Sequence, residues 1–215
     1  DHFDFVYRPQ QVYGGDCPED GKIYTVDKKF KFWGLKEWSL PETKIRDLNI
    51  KYGLVMPSTL EKIREKSFYN IFSRPVGLQS IDLTKCTALK TIGPEAFSHS
   101  LIQEINMSVT KITEIESKTF ESCWELHTVH LPLYLQSIGK EAFYYCLALK
   151  KIDFYNCSKL EVIEEKAFDS CKSLQEINLN SSQVLRKIGI SAFKDCKRLQ
   201  RVTLHNFVDF GPVLE

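Results

Sequence analysis

Residues 135–146 read Leu135-Gln136-Ser137-Ile138-Gly139-Lys140-Glu141-Ala142-Phe143-Tyr144-Tyr145-Cys146, and the same pattern, L-x-x-I-G-x-x-A-F-x-x-C, returns at 185–196. Its phenylalanine and cysteine also recur elsewhere. Four cysteines each follow a phenylalanine by three positions and are 23, 25 and 25 residues apart, at Cys123, Cys146, Cys171 and Cys196. Self-similarity at a fixed period of roughly 20–50 residues indicates a repeat architecture.

A second motif, L-x-x-I-x-L, recurs in phase with the first. Its copies begin at Leu78, Ile102, Leu126, Leu149, Leu174 and Leu199. Upstream, Ile45-x-x-Leu48-x-Ile50 fits the same template, and Leu35-x-x-Trp38-x-Leu40 fits it more weakly. Between the two motifs lies a pair of apolar residues three positions apart, as at Leu135 and Ile138. Each repeat therefore has three groups of apolar residues at fixed positions. We call each of these recurring positions a station.

The period has a direct physical consequence. A unit of 23–25 residues cannot bury its own apolar side, so the copies must stack, and each station then becomes a continuous ladder. The I-x-L part alternates with period two and predicts a strand whose x positions face outward. The Ala-Phe segment is typical of a tight turn packed on the next coil. We expect an α/β-type curved solenoid with a parallel concave β-sheet and short turns or 3₁₀/helical pieces on the outside.

The period and the strand motif resemble those of leucine-rich repeats. The L-x-x-I-G-x-x-A-F-x-x-C pattern resembles the BspA type of this repeat, found in bacterial surface proteins and in protists, over roughly residues 45–205. The chain departs from the common type in lacking an Asn or Cys three residues after each strand. The resemblance implies a leucine-rich-repeat fold and a binding or adhesive function without catalytic residues. It leaves the compartment open between the cell surface and the cytoplasm or nucleus.

Three regions follow from the limits of the repeat. We expect an N-terminal capping segment at 1–34, leucine-rich repeats at 35–205 and a C-terminal tail at 206–215. The tail is too short for another repeat, yet it contains Phe207, Val208, Phe210 and Val213. Either the array is cut from a longer one or its end is covered by another copy of the chain. We predict a homo-oligomer through residues 199–213.

Composition restricts the partners. The chain has 29 Lys and Arg against 28 Asp and Glu, a net charge of +1, so no overall field attracts a phosphate backbone. No apolar run approaches the roughly 20 residues of a membrane-spanning helix. The seven cysteines form no C-x-x-C pair, which removes the common zinc signature. We expect a protein or an extended polymer as partner, no nucleic acid, no membrane insertion, no cofactor and no metal.

Cysteine and histidine are the candidates for chemistry. Regularly spaced thiols suggest disulfides or metal ligands, but the six repeat cysteines fit better as buried free thiols, with Cys17 exposed. The register predicts His130 beside Asp153 on the next strand, with Ser108 or Thr128 as a possible nucleophile. An open sheet provides neither water exclusion nor an oxyanion hole. We therefore predict no catalytic residue and no enzyme.

The outward positions of the strands are the candidates for binding because the core does not need them. An exposed strand face must also be polar for solubility, which is the alternative explanation. Lys151 and Asn180 lie on the two flanks of a central polar column, and Tyr155 is the one aromatic residue at its rim. The predicted partner-binding residues are Asp82, Asn106, His130, Asp153, Tyr155, Asn178 and Thr203.

A short motif supports a second function. Lys151-Ile152-Asp153-Phe154 resembles the basic-hydrophobic-x-aromatic docking motif of phosphatase regulators. The alternative is thus an intracellular regulator that docks on a protein phosphatase or signalling enzyme. Ile152 and Phe154 are also ladder positions, which favours a structural role for them.

Overall fold

The computed structural model describes residues 54–69 and 79–205, together with the backbone of four strands outside these ranges. Within this part of the chain, short strands alternate with turns. They are β1 (Ile23–Val26), β2 (Lys29–Phe32), β3 (Glu37–Trp38), β4 (Leu54–Val55), β5 (Lys62–Ile63), β6 (Ser80–Asp82), β7 (Thr91–Ile92), β8 (Glu104–Asn106), β9 (Glu114–Ile115), β10 (Thr128–His130), β11 (Ser137–Ile138), β12 (Val162–Ile163), β13 (Glu176–Asn178), β14 (Lys187–Ile188), β15 (Arg201–Thr203) and β16 (Asp209–Phe210).

The strands form two parallel rows. One turn of the solenoid, called a coil below, has one strand in each row. The first row contains β2, β4, β6, β8, β10, β13 and β15, and the second contains β3, β5, β7, β9, β11, β12, β14 and β16. Equivalent stations pair with each other, as Ile105 does with both Ile81 and Val129. The predicted parallel-strand solenoid is confirmed, because repeats of equal length place the same station of each coil in register.

Each row is interrupted once. In the first row, β10 and β13 are separated by Lys151–Asp153, which makes only isolated bridges, from His130 to Asp153 and from Lys151 to Glu176. In the second row, β7 and β9 belong to different sheets. The two interruptions lie in different coils, so at each of them the other row remains paired.

The Ala-Phe segment forms turns on the third side of the coil. The N–H of Phe143 donates to the carbonyl of Ala167 in the next coil at 2.8 Å. Glu141 and Tyr145, on either side, have φ of 56° and 60°. Left-handed residues lie two positions before and two after each phenylalanine from Phe97 to Phe193. Because such residues break a right-handed helix, the predicted 3₁₀/helical pieces do not form there. The described residues contain turns here and no helix.

The phenylalanines stack into a ladder through the core. Their ring centroids are 4.9–5.6 Å apart, with interplanar angles of 3–15°, through Phe68, Phe97, Phe120, Phe143, Phe168 and Phe193. All six rings are buried. The ladder joins each coil to the next, as the sequence predicts for a unit with no core of its own.

The upstream strand positions need correction. The strand that pairs with β6 is β4, with Leu54 opposite Ile81, whereas Ile45–Ile50 lies outside the described residues. Trp38 pairs with Ile63 in the second row, not in the first row as its template predicted. Lys51 stands where other coils have the leading Leu or Ile of the motif, which is why the pattern missed this strand.

The ends of the array are described only by backbone. β1 and β2 form an antiparallel pair, and β2 continues in parallel onto β4. The rest of the predicted capping segment at 1–34 lies outside the described residues. In the predicted tail at 206–215, β16 pairs with β14 and extends the second row by one strand. No described residue belongs to a helix long and apolar enough to cross a lipid bilayer.

Candidate functional site

Four residues of the predicted binding column cap the ends of their strands. In each, the side-chain Oδ1 accepts a hydrogen bond of 2.9–3.1 Å from the backbone N–H two residues later. These bonds join Asp82 to Thr84, Asn106 to Ser108, Asp153 to Tyr155 and Asn178 to Asn180. Such Asx turns satisfy a backbone donor where the chain leaves the sheet. The column therefore has a structural role that its polar composition alone did not reveal.

His130 departs from this arrangement for a visible reason. Two residues after it lies Pro132, which has no N–H to donate. The His130 ring is half exposed, and its Nε2 lies 3.8 Å from Oε1 of Glu104 in the preceding coil. Thr203 lies in β15 of the last described coil of the first row. Neither residue makes an Asx turn.

A cavity opens where the first row is interrupted. Its volume is about 310 Å³. It is lined by Lys151, Ile152, Asp153, Tyr155, Glu176, Asn178, Asn180 and Ser181. The isolated bridge from Lys151 to Glu176 places Asp153 opposite Asn178 on the next coil. The irregular coil thus creates a concavity in an otherwise continuous face.

The cavity contains three of the seven predicted binding residues, Asp153, Tyr155 and Asn178. It does not contain Asp82, Asn106, His130 or Thr203. Four further polar lining residues were not predicted as site residues. The outward alternation of the strands already pointed to Lys151, Glu176 and Asn180, whereas Ser181 lies in a loop that no motif marks.

Tyr155 gives the cavity its one exposed aromatic surface. Its side chain is 76% exposed, while Ile152, the other apolar lining residue, is 3% exposed. Asp153 and Glu176 carry negative charge and Lys151 positive charge, so both signs are present within two coils. Tyr155 is held through its backbone N–H by Asp153. The ring therefore projects from a fixed turn.

The proposed His–Asp pair does not assemble as a catalytic dyad. His130 and Asp153 are adjacent in register, as predicted, but Nε2 of the imidazole lies 3.8 Å from Oε1 of Glu104. The hydroxyls of the two candidate nucleophiles are also engaged elsewhere. Ser108 Oγ donates to Asn106 Oδ1 at 2.7 Å, and Thr128 Oγ1 lies 2.9 Å from His127 Nδ1. Neither of these two hydroxyls is hydrogen-bonded to His130.

The cysteines form a ladder beside the phenylalanines. Each thiol donates to the phenylalanine carbonyl of the preceding coil at 3.1 Å, at Cys123, Cys146, Cys171 and Cys196. Cys86 and Cys157 are also buried and free. Burial raises the pKa of Cys123 to about 12. The predicted buried free thiols are observed at all six positions, and Cys17 lies outside the described residues.

A second cavity lies at the interruption of the second row. Its volume is about 520 Å³, and it is lined by Lys62, Arg64, Glu65, Thr91, Gly93, Pro94 and Glu116. Burial raises the pKa of the Glu116 carboxyl, and Glu114 adds to the rise while Lys62 opposes it. This cavity contains no aromatic residue and none of the predicted binding residues. The first cavity is therefore the better candidate for a site.

The sequence and the fold identify the family. A family model of the BspA-type leucine-rich repeat region matches residues 46–160 and 136–211, in six copies. The chain belongs to the BspA-type leucine-rich repeat family. No curated protein matches this BspA-type chain.

Two solved structures share the BspA-type fold of this chain. One is a leucine-rich repeat protein from Bacteroides ovatus ATCC 8483, with 24% identity and a TM-score of 0.52 over 79% of this chain and 49% of that one. The other is a leucine-rich cell surface protein from Faecalibacterium prausnitzii A2-165, with 22% identity and a TM-score of 0.59 over 85% of this chain and 54% of that one. The chain thus spans about half the length of these two proteins.

Proposed function

We propose that this chain is a non-enzymatic interaction module that binds a protein or extended polymer along the outward face of its first strand row. The cavity beside Tyr155 carries the proposal, because it gathers Asp153, Tyr155 and Asn178 at the one interruption of that row. Leucine-rich repeat proteins are generally interaction modules, which supports the same function. An exposed aromatic residue among polar groups is typical of a binding hot spot.

The surface offers recognition without catalytic machinery. The hydroxyls of Ser108 and Thr128 contact neighbouring side chains rather than His130, and the site is an open face. Among the described residues, no group of three His, Cys, Asp or Glu side chains is placed to hold a metal ion. Binding therefore accounts for this face better than hydrolysis does.

The phosphatase-docking alternative rests on Lys151-Ile152-Asp153-Phe154. The exposed fractions of Ile152 and Phe154 are only 3% and 1%, and Phe154 packs edge-on against Phe168 at 6.4 Å. Docking through these two side chains would require them to leave the core. This packing supports a structural role for the motif, so we prefer binding along the outward face as the proposed function.

A triple variant tests the proposed function. We expect His130→Ala, Asp153→Asn and Tyr155→Ser together to keep the fold while weakening recovery of partners from surface extracts and lysate of the source organism. The control variant replaces Lys140 and Glu165. Their ion pair of 3.0 Å joins two neighbouring coils and lies outside the cavity. Equal recovery by the face variant, the control and the unaltered chain would remove the proposal.

A further inference from the structure

The polar groups of the cavity are held in fixed orientations. Asp153 and Asn178 each use Oδ1 to accept a hydrogen bond from the backbone, from Tyr155 and Asn180 respectively. Both side chains are exposed. Among the described contacts, none engages Oδ2 of Asp153 or Nδ2 of Asn178. The Asx turns therefore present one acceptor and one donor to solvent with little rotational freedom left to lose.

Oδ2 of Asp153 and Nδ2 of Asn178 can each form a hydrogen bond with one of two neighbouring hydroxyl groups of a ligand. The isolated bridge from Lys151 to Glu176 sets Asp153 in register with Asn178 on the next coil, and both residues line the cavity. A carboxylate oxygen accepts a hydrogen bond and an amide NH₂ donates one. A pair of adjacent sugar hydroxyls can donate to the first and accept from the second.

Tyr155 supplies an aromatic surface on which a sugar ring can stack. Its side chain is 76% exposed at the rim of the cavity. An aromatic ring offers a flat apolar surface with a polar tip, and the C–H face of a pyranose ring is flat and apolar too. Ile152 is 3% exposed, so it adds little apolar surface to that of Tyr155. The aromatic surface is therefore suited to stacking rather than to insertion.

The charge and the volume of the cavity further restrict the class of ligand that it can bind. One cation, Lys151, and two carboxylates, Asp153 and Glu176, line the cavity, so the local charge is about −1 and a phosphate or acidic polymer is disfavoured. The volume of about 310 Å³ is at the lower end of the roughly 300–1,000 Å³ of small-ligand sites. This space is suited to one or two sugar units rather than to a folded domain.

We infer that the cavity between the coils of Asp153 and Asn178 binds a sugar unit of a neutral glycan, with the ring stacked on Tyr155. The inference rests on the proposed function, since it names the class of partner that the outward face binds. The glycan is either a free polysaccharide or the carbohydrate of a glycoprotein, because both present the same hydroxyls.

Calorimetric titration with short linear oligosaccharides of glucose, mannose, galactose, xylose and N-acetylglucosamine tests this inference. We expect at least one of them to bind, with an affinity that changes little between about 0.05 and 0.5 M salt because the ligand is uncharged. Failure of every oligosaccharide to bind, or an affinity that falls steeply with salt as for a charged peptide, would overturn the inference.

Turn-preserving variants locate the site. Asp153→Asn and Asn178→Asp keep Oδ1 for the Asx turn and change only the outward atom, so each should weaken binding about two- to tenfold. Tyr155→Ala should weaken it about tenfold. The matched controls are Asn106→Asp, the same exchange outside the cavity, and Tyr134→Ala, an aromatic residue that is 44% exposed.

The expected result is a loss in the three cavity variants and none in the two controls. Equal losses in both sets, or unchanged binding by Tyr155→Ala, would overturn the sugar site. The proposed function is judged separately by recovery of partners with the triple variant. If no oligosaccharide binds but that variant still loses its partners, the interaction face stands and the sugar inference fails.

Discussion

The thiols of the cysteine ladder illustrate how one residue serves the stacking of coils. Cys146 Sγ donates to the carbonyl of Phe120, so a small apolar side chain adds a hydrogen bond between coils to a buried carbonyl that also accepts from the N–H of Cys123 within its own turn. Burial raises the pKa of Cys146 and Cys171 well above the usual thiol value. These thiols stay neutral at physiological pH.

We expect the six repeat cysteines to react very slowly with a thiol reagent in the native state. The thiolate is the reactive form, and a pKa of about 12, as at Cys123, leaves about one thiol in 10⁴ ionised at pH 8. Native protein should be labelled at about one site, Cys17, and denatured unreduced protein at all seven cysteines. Three disulfides found on denaturation would contradict the free thiols.

The predicted binding column is rich in Asp and Asn, and the residue type alone does not show what each side chain does. Asp and Asn at the end of a strand are compatible with an Asx turn or with ligand binding, and the sequence pattern alone does not separate the two. The structure assigns Oδ1 of Asp153 and Asn178 to turns. The cavity depends on which coil loses its regular pairing, and this is a property of packing between coils rather than of one residue.

At the scale of the elements, the phenylalanine ladder and the glycines set how closely the coils approach. Gly139 lies where a Cβ would come within 2.8 Å of the backbone N of Ser117. The equivalent residues of neighbouring coils alternate between glycine and a charged residue, through Arg64, Gly93, Glu116, Gly139, Glu164 and Gly189. Close backbone approach is thus required in every second coil.

Phe143→Ala should lower the free energy of unfolding by about 3–5 kcal/mol. The ring is fully buried and stacks on two others, with centroids 5.2 Å from Phe120 and 5.1 Å from Phe168. Urea unfolding followed by circular dichroism measures the loss, with Phe143→Leu as a variant that keeps most of the volume. A loss below about 1 kcal/mol for Phe143→Ala would mean that this station does not hold the coils together.

Gly139→Ala should destabilise the fold by about 1–3 kcal/mol, because the added methyl group meets backbone that must shift. Glu164→Ala is the matched control, since the equivalent position one coil later already carries a side chain. The same unfolding measurement compares the two variants. Equal stability of Gly139→Ala and the unaltered chain would show that the coils are not in close contact here.

Most elements could be predicted from the sequence because inward stations repeat with the coil. The third side of each coil was harder to predict, because the short turn motif allows either a helix or separate turns. Left-handed residues such as Glu141 and Tyr145 also carry no distinctive side chain. The interruption at Lys151–Asp153 was not predictable either, because Leu149, Ile152 and Phe154 fit the strand motif. Phe154 is the largest residue at its station, and its ring turns edge-on to Phe168.

At the scale of the whole molecule, the last described strand of the first row is less covered than the strands before it. Val202 is 39% exposed, whereas the equivalent Ile177 and Val129 are 0% and 4% exposed. An incompletely covered station and strand edge favour pairing with further chain. The self-association predicted for residues 199–213 would cover this station.

We expect sedimentation equilibrium to detect a dimer that dissociates on dilution. Val202→Lys should shift the equilibrium to monomer, because a charge at the exposed station disfavours burial in an interface. Val184→Lys is the control, since Val184 is 51% exposed but lies outside residues 199–213. A strict monomer at high concentration would contradict this prediction.

We infer that inward stations build the solenoid, and we propose that the outward face at the interruption of the first row binds the partner. Hydrogen–deuterium exchange with and without a bound partner or oligosaccharide tests this most directly. We expect added protection in residues 150–156 and 175–181, and none in the second row at 137–138 and 162–163. Protection confined to the second row or to residues 199–213 would contradict it.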